Sequence, residues 1–144
     1  MKKIIFVVIC TLGLSCGISK SKNTQPVLVY EIYFADHFEN DTVDLFFNET
    51  ILLKNCRLDS KPYDLTRVNI KVYQNDGNHF AVVNETDSVT IKMREKNELK
   101  LINKTYNIVN TNLILESAGK YIIYRGDDQG KIRFIQTDTQ PGFD

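Results

Sequence analysis

Val68-Asn69-Ile70-Lys71-Val72 and Val89-Thr90-Ile91-Lys92-Met93 alternate apolar and polar residues without a break. Successive side chains of a strand point to opposite faces, so this pattern builds a strand with one buried face; it cannot lay an apolar stripe along a helix. Leu99-Lys100-Leu101 and Ile132-Arg133-Phe134 repeat it over shorter spans. From Pro26 onward there is almost no helical periodicity. Short runs rich in Val, Ile, Thr, Tyr and Phe, which suit a pleated surface, take its place. Strands are expected at 27–34, 42–47, 50–58, 67–74, 79–84, 88–95, 98–103, 105–109, 112–116, 120–125 and 131–137.

The punctuation agrees. Asp76-Gly77 between two such runs is a strong short-range hairpin signal, and Asn48-Glu49 is short enough for a second hairpin. Ala118-Gly119 and the segment 127–130 are expected to join the last three runs into a meander. Turn signals spaced about 8–12 residues apart belong to sandwiches and barrels. The expected fold is all-β, a single-domain antiparallel β-sandwich over 26–144, with a β-barrel as the alternative.

The chain has 144 residues, with 18 Lys+Arg against 18 Asp+Glu. That length is enough for one domain with a core that needs no staples. The balanced charge gives no electrostatic footprint for a nucleic-acid partner.

The N-terminus reads as an export signal. Met1-Lys2-Lys3 is positive, and residues 4–14 (IIFVVICTLGL) are apolar but too short for a membrane span, which needs about 20 residues. Small Ser15 precedes Cys16, and the polar run 19–25 separates this leader from the first strand. Leu12-Gly13-Leu14-Ser15-Cys16 resembles the lipobox of bacterial lipoproteins, although Gly13 stands where that family usually has Leu. The resemblance implies a signal peptide at 1–15, lipidation of Cys16, and a flexible tether over 16–25. The protein would then be exported and held on the cell-envelope membrane by its N-terminal lipid; plain secretion is the alternative. Cys10 and Cys16 belong to the leader, which leaves Cys56 as a buried thiol or, without a lipid, a partner for Cys16.

Candidate chemistry is sparse. His37 and His79 match no zinc spacing, and neither a Gly-x-Ser-x-Gly elbow nor a glycine-rich phosphate loop occurs. Asp36, Glu39 and Asp41 form one acidic cluster and Asp127 and Asp128 another. Loops at a sandwich edge can bind calcium with such oxygens, the alternative being solvated turns. Aromatic residues crowd the first strands (Tyr30, Tyr33, Phe34, Phe38, Phe46, Phe47) and read as core, or as a row for sugar rings or a partner strand. Phe46 and Phe47 are neighbours, so one must leave the main core.

Four Asn-x-Thr sequons begin at Asn40, Asn48, Asn84 and Asn103. Asp41-Thr42-Val43 and Asp87-Ser88-Val89 resemble the O-glycosylation motif of Bacteroidota, with Thr42 and Ser88 as acceptors. Together with the leader and an Asn/Lys/Ile-rich composition, this is similar to small Bacteroidota lipoproteins. The resulting expectation is a non-enzymatic binding domain without a cofactor, facing an envelope protein or glycan. An immunity or inhibitor lipoprotein is the alternative. A small hydrolase using Asp36, Asp41 or Asp127 is the third reading.

Overall fold

The computed structural model describes residues 24–61, 64–127 and 129–142. The expected signal peptide, Cys16, most of the tether and Asp128 therefore lie outside the described residues. Among the described residues ten strands run β1 (Val27–Ala35), β2 (Asp41–Phe47), β3 (Thr50–Leu58), β4 (Leu65–Asn75), β5 (Asn78–Val83), β6 (Asp87–Ile91), β7 (Asn97–Asn103), β8 (Ile108–Ile114), β9 (Tyr121–Gly126) and β10 (Ile132–Thr137). They form two packed sheets, one ordered β10-β9-β1-β4-β5-β6 and the other β3-β2-β7-β8. The sandwich stands, and the sheets do not close into a barrel: β10, β6, β3 and β8 remain as edges.

The pairs are antiparallel except β1 with β9, which run parallel. Parallel neighbours require a crossover, and the chain makes it by visiting the other sheet between them. This is why the expected meander over the last three runs fails. β8 ends in the four-stranded sheet and β9 begins in the six-stranded one, so residues 115–120 cross between layers. The Gln136 side chain fastens that crossing. Its Nε2 donates to the backbone carbonyls of Leu115 (2.7 Å) and Gly119 (2.6 Å), and its Oε1 accepts from the Leu115 N–H (3.1 Å). Gly119, at φ 106°, lies so close to the Thr137 backbone that a Cβ would overlap it.

Two expected strands, 105–109 and 112–116, are one. Residues 104–107 form the turn from β7, with Asn107 at φ 55°, and β8 then runs unbroken. Both predicted two-residue hairpins form. Asp76 (φ 47°) and Gly77 (φ 79°) have the left-handed conformations that a type I′ turn needs, and Asn48 (φ 52°) opens the β2–β3 turn.

The interior lies between the sheets. Ile32, Phe34, Val43, Leu45, Phe47, Leu58, Ile70, Val72, Leu99, Leu101, Ile122 and Tyr124 are among its fully buried side chains. Each such side chain contributes about 1.5–3 kcal/mol on burial. Phe34 stacks on Tyr124 at 5.7 Å, Tyr30 meets Phe47 across the layers at 6.5 Å, and Phe38 plugs one end. The crowded aromatics are therefore core, apart from half-buried Phe46 on the outer face and Tyr33, which is buried on the outer side of the other sheet. Burial, with Glu31 beside it, pushes the Tyr33 phenol up to about 12, and Gln140 of the C-terminal segment hydrogen-bonds it.

Candidate functional site

The two ends of the sandwich differ. At one end Thr24 Oγ1 donates to Asp76 Oδ1 at 2.5 Å, and Val27 pairs with Gln74, so the chain joins the domain beside the β4–β5 hairpin. Gln25 and Pro26 line an open depression there with the stacked rings of Tyr73 and Phe80 (5.6 Å). The crossings β6–β7 and β8–β9 lie at this end as well. The first is tied by buried amides: Asn48 Nδ2 donates to the Lys92 carbonyl (2.8 Å) and to Asn97 Oδ1 (3.0 Å), and Asn97 Nδ2 donates to the Arg94 carbonyl (3.1 Å).

At the other end of β4, roughly 33 Å away at about 3.3 Å per residue, lies a cleft of about 530 Å³. It is lined by the end of β3, the β3–β4 connection and the first residues of β4, and it carries Arg57, Asp59, Lys61, Asp64, Arg67 and Thr66. The connection is held from below. Ser60 N–H donates to the Phe38 carbonyl (2.8 Å), and Phe38 N–H donates back to Ser60 Oγ (3.2 Å). Asp36 N–H donates to the Asp64 carbonyl (2.9 Å), and Asp64 Oδ1 accepts from the Leu65 N–H (2.8 Å). Buried Ser60 and Thr66 thus form the base, while Arg57, Lys61 and Arg67 stand exposed around it. Arg57 is steadied by Asn40 Oδ1, which accepts from its Nε (2.9 Å) and its Nη2. Asn40 itself sits at φ 59°, a conformation Asn tolerates better than most residues. The arrangement offers three cationic donors over a hydroxyl-bearing base, with the carboxylates of Asp59 and Asp64 set among them, a mixed lining with an excess of one positive charge that can meet an anionic polar group.

The acidic residues singled out in the sequence are not gathered into one site. Asp36 is buried and pairs through Oδ2 with Arg125 Nε at 3.0 Å. Glu39 is exposed. Asp41, 2% exposed, accepts from Asn103 Nδ2 at 2.9 Å, and burial raises its carboxyl above the usual range. Asp127 Oδ1 accepts from the Gln129 (2.9 Å) and Lys131 (2.8 Å) N–H groups and closes its own turn. Among the described residues, no three His, Cys, Asp or Glu side chains come together as a metal-binding group. Asp36 and Asp41 are buried parts of the structure, not the solvated turn residues that composition implies.

Of the sequons, Asn48 and Asn103 spend their amides on buried hydrogen bonds, while Asn40 and Asn84 are exposed. Thr42 is half-buried on β2, where its N–H donates to Thr105 Oγ1 (2.9 Å); Ser88 is exposed on edge strand β6. Cys56 is half-buried against the core, and burial raises its thiol above its ordinary value, so the thiolate is disfavoured. Comparison with protein families, with curated proteins and with solved structures finds no match. The cleft residues escaped the sequence reading because two strand ends contribute them. The signal was nonetheless present as five charges within residues 57–67.

Proposed function

We propose that this protein is a lipid-tethered, non-enzymatic binding domain of the bacterial cell envelope that presents its charged cleft to an anionic partner. The observation that carries this reading is the opposition of the two ends. The chain joins the sandwich at the β4–β5 hairpin, and the cleft opens at the far end of β4. An anchor at Cys16 would reach the domain at the hairpin end and leave the cleft at the end farther from the attachment point. The buried carboxylates support a binding role, because Asp36, Asp41 and Asp44 are each held by an internal partner.

Two measurements test the reading. Radiolabelled palmitate should enter the wild-type chain and be lost in Cys16→Ala; equal labelling of both removes the anchor. Immobilised protein should retain an acidic component of envelope extracts, and Arg57→Glu/Lys61→Glu/Arg67→Glu should release it. Protease treatment of the retained material separates a protein partner from an acidic glycan. Retention unchanged by the triple variant removes the cleft from the proposal.

A further inference from the structure

The edge strand β8 reads Ile108-Val109-Asn110-Thr111-Asn112-Leu113-Ile114. About Thr111 the order is the same in both directions: Asn on each side, then Val or Leu, then Ile. A strand that is chemically a palindrome is complementary to itself when run antiparallel, and such a pair has a two-fold axis through its centre. We propose that β8 is the contact through which two copies of this chain associate, pairing edge to edge and joining their four-stranded sheets into one.

Several observations converge on this strand. It is the end strand of its sheet, paired on one side only, with β7. It carries no charge, no proline and no irregularity of register, the devices by which edges are normally protected. Just past its end, the backbone N–H and carbonyl of Leu115 are both capped by Gln136; among the described residues no side chain caps the free edge of Ile108–Ile114. Its outer face exposes Val109 and Leu113, at 56% and 55%, an unusual cost for two large apolar side chains on one short strand. Its inner face carries Asn110, whose Nδ2 is buried without a hydrogen-bond partner, and Asn112, whose amide lies beside the buried Tyr124 hydroxyl. An unmade hydrogen bond on a buried group is expensive.

Pairing about Thr111 answers each of these. Val109 meets Leu113 of the second copy, and Leu113 meets its Val109, so each gains an apolar cross-strand neighbour on one face. Asn110 comes opposite Asn112 of the second copy on the other face, with Cβ atoms about 4.5–5.5 Å apart. That spacing lets the amides hydrogen-bond each other. Ile108 then faces Ile114. The inference stands on this edge alone and does not depend on the cleft or the anchor.

Cysteine cross-linking of the full chain in intact expressing cells tests it, with linked peptides identified by mass so that Cys56 does not confuse the result. Thr111→Cys should link to itself through a short bis-maleimide, giving a species of twice the monomer's mass. Thr90→Cys, exposed on the opposite edge of the molecule, sets the background. Val109→Cys alone should stay near that background, since its two copies would lie roughly 14 Å apart at about 3.4 Å per residue. Co-expressed Val109→Cys and Leu113→Cys chains should link. Adding Thr111→Glu to both should abolish that link: it faces Lys100 within its own chain, so the fold tolerates it, but it sets carboxylate against carboxylate across the axis. Linkage at position 111 no greater than at position 90, or a 109–113 link that survives Thr111→Glu, overturns the proposal.

Discussion

The four-stranded sheet has two edges, and the chain treats them differently. β3 is broken up. Its pairing with β2 shifts register twice, Asn55 adopts φ 50°, and Lys54, Asn55 and Arg57 stand exposed along it. Asp44 of β2 holds the irregularity in place by accepting from the Asn55 N–H (2.6 Å) and pairing with Lys104 (2.7 Å). β8 has none of this: seven residues in continuous register, uncharged, with Val109 and Leu113 flanking Thr111 on the face turned to water. Bulges and charges stop a strand from recruiting another. One edge of this sheet is therefore closed by its own sequence and the other is left open.

The interior that both edges share should be the most costly part to disturb. Leu101 on β7 is fully buried between them, and Leu101→Ala should lose about 2–5 kcal/mol in urea unfolding. A loss well under that range would mean the two halves of the sheet do not depend on one interior.

Asp44→Ala should come next, at about 1–3 kcal/mol, because it leaves the Asn55 N–H without its acceptor and removes the ion pair to Lys104. Its pH dependence gives a sharper test. The Asn55 N–H, then Lys104, hold the Asp44 carboxyl below its ordinary value. Its contribution is therefore present above that value and is lost as pH falls through the folded one. Asp41, on the same strand but bonded toward β7, runs the other way. Burial raises it, so its contribution is present at low pH and fades as pH rises through the folded value. Stability profiles of Asp44→Asn and Asp41→Asn against wild type should depart in opposite directions; departures of the same sign would break the contrast.

Asn55→Ala should cost about 1 kcal/mol, since a left-handed position tolerates Ala poorly, whereas Asn55→Gly should be near neutral. If the two behave alike in thermal melting, strain at Asn55 is not what shapes the β3 edge. The smallest effect is expected at the open edge. Thr111→Glu should change chain stability by no more than about 0.5 kcal/mol while removing self-association, which sharpens the distinction between an edge that folds the chain and one that joins chains.

Much of the fold is readable from local pattern, and the reason is physical. Alternation fixes which face of a strand is wet, so nine of the eleven expected runs reappear as separate strands within a few residues at most ends. Asp76-Gly77 and Asn48-Glu49 specify their turns by backbone preference alone. What the pattern cannot express is which layer a strand joins. Runs 105–109 and 112–116 are both strand-like and differ only in whether Asn110 and Thr111 bend or continue. The parallel β1–β9 pair depends on distant side chains such as Gln136. Of the candidate site, Arg57, Lys61 and Arg67 were visible only as a dense run of charge. Asp36 and Asp41 looked solvated because composition does not report that Arg125 and Asn103 arrive from other strands to meet them.

The parallel pairing of β1 with β9 also governs the order in which this molecule can be completed. β1 is the first strand made, and one of its two sides is filled only by the second-to-last, with Glu31 waiting for Tyr121. A chain delivered N-terminus first therefore keeps β1 as an open edge of its larger sheet until almost all of it has emerged. Closing so long a loop is slow compared with forming the hairpins between. Premature truncation anywhere before residue 121 would leave β1 as a permanent edge, a long and largely apolar strand exposed where the finished sheet has two more strands.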